Sequence, residues 1–211
     1  GHRGGYDAFS FDATEAIRWD GPNELVVAVW DPTDAGPYPR GKQVRKPGGI
    51  FYTPTTGIWQ TVWLEPVAPA HIEKLKITPR LDESAVEVQV FATWPKGSGT
   101  VCVDVWEAGV RVAQAQLTAE GSRKGLIAPT VALRIPHAKP WSPDSPYLYD
   151  LTVRLLHNGA PADQVGSYFG LRKISLGKDE NGFTRLCLNN KVLFQYGPLD
   201  QGFWPDGIYA A

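Results

Sequence analysis

The chain has 211 residues, 43% of them hydrophobic and 20% charged, with a formal net charge of −1. That length supports one large or two smaller packed domains. The balanced charge removes any electrostatic basis for a nucleic-acid or anionic-membrane partner.

The chain contains no methionine and opens "GHRGGYDAFSF", which reads as the interior of a longer protein. Residues 13–19, "ATEAIRW", offer at most one helical turn. Residues 24–30, "ELVVAVW", and 58–67, "IWQTVWLEPV", are rich in β-branched and aromatic residues and are expected as strands. A long irregular insertion, residues 31–49, separates them. The stretch "APAH" at 68–71 is read as a domain junction.

From residue 72 to 170 the period-two pattern recurs about seven times: 72–79, 85–94, 100–106, 110–117, 130–136, 147–156 and 163–170. Turn chemistry stands between the runs in "PKGSG", "EAG", "AEGSRKG" and "HNGAP". Strands at this spacing predict an immunoglobulin-like β-sandwich. Before the run at 147 comes "PWSPDSP". Pro140, Pro143 and Pro146 lack backbone donors and cannot join a central sheet. They predict a stiff arm along a sheet edge, with Trp141 and Tyr147 covering apolar surface.

After residue 170 the pattern becomes strand, Asn181-Gly182 turn, strand, Asn189-Asn190 turn, strand. A two-residue turn of this kind needs positive φ, which Asn and Gly tolerate. The final stretch, "PLDQGFWPDGIYAA", is aromatic and irregular. The fold class expected is all-β. Cys102 and Cys187 sit singly in strand-like runs, and the four histidines are scattered. No metal-ligand spacing or redox pair arises, so neither metal nor cofactor is expected. Glu65, Asp104 and Asp150 lie on alternating runs and are expected to face solvent.

"PWSPDSPYLYDLTVRLL", "SYFGLRKI" (167–174) and "LNNKVLFQYG" (188–197), in that order, resemble the pattern of glycoside hydrolase family 2. Upstream, "HRGGYDAFSFDAT", "NELVVAVWDPTD" and "GIWQTVWLEPV" are similar to the second half of that family's jelly-roll, sugar-binding-like domain. The resemblance covers essentially the whole chain. It implies three parts: the C-terminal part of a jelly roll (1–68), an immunoglobulin-like sandwich (69–171), and the hairpin and opening strand of a (β/α)8 barrel (172–211). It further implies a retaining, β-galactosidase-like exo-β-glycosidase. Such enzymes use an acid/base and a nucleophilic carboxylate about 5–5.5 Å apart.

No catalytic residue is assigned within these 211 residues. The one Asn-Glu pair, Asn23-Glu24, sits in a turn without a barrel around it and is read as a decoy. By resemblance, the segment after the first barrel strand lies at the pocket mouth. Asp200 and Gln201 are then expected to bond sugar hydroxyls, and Trp204 or Phe203 to stack on a pyranose. A second candidate is the loop pair "PRGKQ" (39–43) and "GGIFYTPTTG" (48–57). Galactosidases and glucuronidases carry an aspartate there, and this chain has Phe51, leaving Tyr52 as an aromatic wall. The expected partner is a carbohydrate substrate, and a homo-oligomer is left open. A non-catalytic carbohydrate-binding sandwich is the alternative. An adhesion-type immunoglobulin module would account for 72–170 but not for the residues after 170.

Overall fold

The computed structural model describes residues 1–120, 129–199 and 202. The chain divides into two compact units, one containing Gly1–Leu64 and the other formed by Glu65–Gly197. Among the described residues every regular element is a strand, apart from one 3-10 turn at Leu81–Glu83.

Seven strands build the second unit: β1 (His71–Arg80), β2 (Ala85–Thr93), β3 (Ser98–Glu107), β4 (Val110–Glu120), β5 (Thr130–Arg134), β6 (Tyr149–His157) and β7 (Ala160–Phe169). They form a three-stranded sheet, β1-β2-β5, and a four-stranded sheet, β4-β3-β6-β7, with every pairing antiparallel. All seven fall on the alternating runs predicted between residues 72 and 170. The period of two explains why. Val86, Val88 and Val90 on β2, Val101, Val103 and Val105 on β3, and Leu151, Val153 and Leu155 on β6 are buried in one core, while their neighbours face outward. Burying each such side chain contributes about 1.5–3 kcal/mol. The β3–β4 and β6–β7 hairpins turn at Ala108-Gly109 and Asn158-Gly159, all four residues at positive φ, which suits the right-handed twist of the flanking strands. Asp163 Oδ2 on β7 accepts the Ile72 backbone N–H of β1 at 2.7 Å, beside a bulge. That bond ties the edges of the two sheets.

The proline-punctuated segment joins β5 to β6, and so passes from one sheet to the other. It is not simply extended. Ser142 and Ser145 exchange two backbone hydrogen bonds, 2.9 and 3.1 Å, around Pro143-Asp144. Trp141 donates its backbone N–H to Leu171 O at 3.0 Å, and the Arg172 guanidinium lies 4.8 Å from its ring centroid. A Cβ on Gly170 would stand 3.1 Å from Trp141 side-chain atoms, so the ring presses on the backbone there. Tyr149 is fully buried, stacked on Phe169 at 5.4 Å, and its hydroxyl accepts the Lys139 N–H at 2.7 Å. Lys139 also pairs with Glu107 and lies 4.9 Å from the Tyr147 ring centroid.

A small antiparallel sheet follows: β8 (Ile174–Lys178), β9 (Thr184–Leu188) and β10 (Lys191–Val192). Asn189 and Asn190 both adopt positive φ, making the tight turn expected there. The Asn181-Gly182 expectation is only half met. Gly182 has positive φ but Asn181 does not. Asp179 reshapes this loop, its Oδ1 accepting the N–H groups of Asn181 and Phe183 at 3.0 and 2.9 Å. The hairpin is fastened to the sandwich through Asp82, which takes Lys173 and Asn190, and through Asn189 Nδ2, which donates to Trp141 O at 2.9 Å.

Three expectations are corrected. Residues 24–30 and 58–67 are not strands, and no strand occurs among residues 1–69. Leu25, Val26, Trp63 and Leu64 are exposed there. Alternation supplies a face, but a strand also needs a neighbouring backbone to pair with, and none is present among the described residues. Asp104 does not face solvent freely. It points to the outer face of β3, yet only 2% of its side chain is exposed, because Arg154 and Arg111 close over it at 2.7 and 3.4 Å. The turn expected over "AEGSRKG" lies mostly outside the described residues. Residues 13–17 close one turn, within the limit of at most one helical turn expected there, with Ala13 O accepting from Ala16 and Ile17.

Candidate functional site

Of the residues that sequence reasoning put at a sugar pocket, Asp200, Gln201, Phe203 and Trp204 lie outside the described residues. The loop pair containing Phe51 and Tyr52 is described. It is shaped by local polar contacts. Asp31 Oδ1 accepts the Thr33 N–H at 2.7 Å, holding Thr33 at φ 54°, and Thr56 Oγ1 donates to Asp31 Oδ2 at 3.3 Å. Gln43 and Tyr52 form a parallel bridge: Tyr52 N donates to Lys42 O at 2.8 Å, and Val44 N to Tyr52 O at 3.2 Å. Gln43 Oε1 accepts both the N–H and the hydroxyl of Thr55, at 2.8 and 3.0 Å. Arg40 Nη1 donates to Gln43 O at 2.9 Å. The sequence folds this way because prolines forbid a long ladder while side-chain oxygens take up the backbone N–H groups.

Beside this bridge lies a shallow cavity of 510 Å³ lined by Asp34, Val44, Arg45, Lys46 and Phe51. Arg45 Nε donates to Asp34 Oδ1 at 2.7 Å, and this bond holds the Asp34 carboxyl below the usual carboxylate range. Asp34 is therefore an acceptor at neutral pH and not a proton donor. Arg45 and Lys46 supply donors, and the half-exposed Phe51 supplies an apolar face. Such a set can bind hydroxyls and an aliphatic ring face; it has no group poised to move a proton. Phe51 lines the cavity. Tyr52 uses its backbone in the bridge and has the Lys42 ammonium 5.9 Å from its ring centroid.

Sequence reasoning missed the Asp34–Arg45 pair, which is eleven residues apart across an irregular loop and has no periodic signature. It also missed the burial of Asp104. Asn23 behaves as its turn context implied: its amide accepts the Arg18 N–H and donates to Arg18 O, both at 2.8 Å, closing a turn. Among the described residues every carboxyl with a displaced pKa (Asp12, Asp34, Asp82, Glu107 and Asp179) is shifted down, first by a side-chain hydrogen bond. A glycosidic general acid needs the opposite shift. Cys102 and Cys187 are buried free thiols. Among the described residues no three metal-ligating side chains come together.

Comparison with known proteins gives a consistent answer. The profile of glycosyl hydrolases family 2 matches residues 70–172, the extent of the two-sheet sandwich. A beta-galactosidase of Bacteroides ovatus is 28% identical over 189 residues, covering 85% of this chain and 21% of the relative. A putative beta-glucuronidase of Formosa agariphila is 30% identical over 206 residues, covering 93% of this chain and 23% of the relative. The crystal structure of a family 2 glycosyl hydrolase from Bacteroides cellulosilyticus superposes with a TM-score of 0.58 at 26% identity, over 68% of this chain and 19% of that one. The chain thus spans between a fifth and a quarter of the length of these relatives.

Proposed function

The chain belongs to glycosyl hydrolases family 2, and from that premise we propose that it supplies scaffold and part of the pocket rim of a retaining exo-β-glycosidase of β-galactosidase-like specificity. The observation that carries the reading is the family match over the sandwich, joined to relatives that align with 85% and 93% of this chain and are named as glycosidases.

On this reading residues 1–68 correspond in sequence to the C-terminal part of a jelly roll, whose strands would form only against the paired strands of the rest of that domain. Residues 69–171 are an immunoglobulin-like sandwich, supported by the three-plus-four strand arrangement. Residues 172–211 lead into a (β/α)8 barrel, whose active site would stand at the C-terminal ends of its strands. The two catalytic glutamates lie outside this chain. Asp200, Gln201 and Trp204 approach the sugar from the segment after the first barrel strand, and the Phe51–Tyr52 loop forms an aromatic wall. The substrate is a terminal β-linked sugar, and no cofactor takes part.

The test is an activity screen of the full-length gene product on aryl β-galactoside, β-glucuronide, β-mannoside and β-glucoside. Product configuration is followed by NMR. Hydrolysis with retention is expected, best on the galactoside; inversion, or inactivity on all four, refutes the proposal. The isolated 211-residue chain is expected to hydrolyse none of them.

A further inference from the structure

The outer face of the four-stranded sheet carries a polar hollow that a scaffold does not require. Its volume is 290 Å³, and it is lined by Asp104, Trp106, Arg111, Thr152, Arg154 and Gln164. These residues come from all four strands, and antiparallel register brings them together. Asp104 faces Thr152 across β3–β6, Trp106 faces Arg111 across β3–β4, and Arg154 faces Gln164 across β6–β7. From the geometry of this hollow we infer that it is a binding site for a single neutral pyranose.

Four observations carry the inference. First, the sheet is open beside the hollow, next to its lining residues Thr152 and Gln164. Gly166 pairs with Thr152, and a Cβ built on it meets nothing within 4 Å. Any other residue there would put a side chain on this face, where the strand alternation places Gln164, Gly166 and Tyr168 in line. Second, an aromatic ring is fixed at its side. Trp106 is half-buried, and its Nε1 donates to Thr152 Oγ1 at 3.1 Å. This bond locks the indole over the sheet, with Tyr168 exposed on the same face. Such a rigid platform offers a flat apolar surface to the C–H face of a sugar ring at little entropic cost.

Third, the polar groups are pre-aimed. The buried Asp104 carboxylate draws in Arg154 at 2.7 Å and Arg111 at 3.4 Å, yet both arginine side chains stay about half exposed. Each guanidinium carries five N–H donors in a rigid fork, and Asp104 engages only part of each fork. The remaining donors, with the Gln164 amide, point to a ligand that both gives and accepts hydrogen bonds.

Fourth, the charges decide which ligand. Glu120 shares the face but stands at its far end, opposite Ser98; the ionised groups that line the hollow or pair with its lining are Arg111, Arg154, Asp104 and Asp150, the last opposite Tyr168 and Trp106 in register. Two positive and two negative charges sum to zero. A carboxylate or a cation would gain no net Coulomb attraction, whereas a neutral polyol matches mixed donors and acceptors beside a ring. The hollow also sits at the lower limit of small-molecule sites, about 300 Å³, which suits one sugar unit.

The inference is independent of the glycosidase reading, because it is tested by binding without turnover. The 15N-labelled 211-residue chain is titrated with methyl β-galactopyranoside, methyl β-glucopyranoside and methyl β-glucuronide to about 50 mM, and its eight indole N–H signals are followed. Trp106 is assigned by its loss in Trp106→Phe. A saturable shift of the Trp106 signal is expected with at least one neutral glycoside, with a Kd on the order of millimolar. The glucuronide is expected to bind no more tightly. Gly166→Val fills the open space beside the hollow without removing a polar group and should raise Kd at least tenfold, as should Trp106→Ala. Should Trp106→Ala not fold, Gly166→Val decides alone, since its Cβ position is open. The inference is overturned by no saturable shift with either neutral glycoside, by unchanged affinity in folded Gly166→Val, or by preference for the glucuronide.

Discussion

Gly99→Ala should be among the most damaging single-methyl additions in the sandwich. Gly99 opens β3 beside Trp94, which is 4% exposed and belongs to the core. A Cβ at residue 99 would stand 2.3 Å from Trp94 Cε2 and 2.6 Å from Cδ2 and Cζ2. Carbon atoms prefer separations of about 3.5–4.0 Å, so the indole or the strand must retreat by about 1.2 Å. Gly99 is not at positive φ, and alanine adds no backbone strain there; the cost is steric alone. The ring is enclosed in the core shared by the two sheets, so a retreat disturbs its packed neighbours. Overpacking of this kind costs about 1–3 kcal/mol, and we expect the upper end. For a sandwich of about 100 residues, 2–3 kcal/mol lowers Tm by roughly 10 °C or more. The assay is thermal and urea unfolding of the chain, with Gly166→Ala as the paired control. That substitution adds the same methyl on β7 into open space and should lie within about 0.5 kcal/mol of the parent. Equal stability of the two variants would refute the reasoning.

Tyr149→Phe removes the hydroxyl that accepts the Lys139 N–H at 2.7 Å; a loss of about 1–2 kcal/mol is expected in urea unfolding. Arg154→Met leaves Asp104, with 2% of its side chain exposed, facing only Arg111 at 3.4 Å. It should cost about 3 kcal/mol. Asp104→Asn should cost less, because the two half-exposed arginines it releases can return to water. A double-mutant cycle measures the difference, and the reverse order would count against this account. Acid should loosen the β8–β9 loop. Hydrogen bonding from Arg185 holds the folded Asp179 carboxyl below its ordinary value of 3.8. A depressed carboxyl contributes stability that is present above the unfolded value and lost as pH falls through the folded one. Protection of the Phe183 amide in hydrogen exchange should therefore decline below that range in the parent, and decline less in Asp179→Asn.

The sandwich was readable in the sequence because its signal is local and repeated. Seven alternating runs with turns between them place seven strands, and Ala108-Gly109 and Asn158-Gly159 supply the positive φ that hairpins require. The same rule failed at residues 24–30 and 58–67, where the pattern is equally apolar. What differs is pairing. Val101 is a strand residue because Leu117 and Leu155 flank it, and no property of "ELVVAVW" itself records whether such neighbours exist. The Asn181-Gly182 turn failed for a smaller reason: the Asp179 carboxylate bonds two amides of the loop and sets a longer path.

The polar sites were less legible, because they depend on register and not on composition. Asp104 lies in "TVCVDVW", where an alternating acidic residue ordinarily marks a wet face. It is buried because Arg154, fifty residues away, is placed one pair along on β6, and Arg111 reaches across from β4. Either arginine alone would have looked like a solvated charge. A strand ladder therefore hides such chemistry from a linear reading: the hollow lined by Asp104, Arg111, Thr152 and Gln164 exists only once four strands share one sheet. By contrast, Asp34 and Arg45 meet through an irregular loop that no period describes. If the hollow binds a neutral sugar, the scaffold and the binding surface are one sheet: its inner residues hold the core, and its outer residues recognise the ligand. Core mutations such as Gly99→Ala should then lower stability while sugar affinity of the folded fraction stays unchanged. Gly166→Val should do the opposite, and a parallel loss of both properties in either variant would break that division.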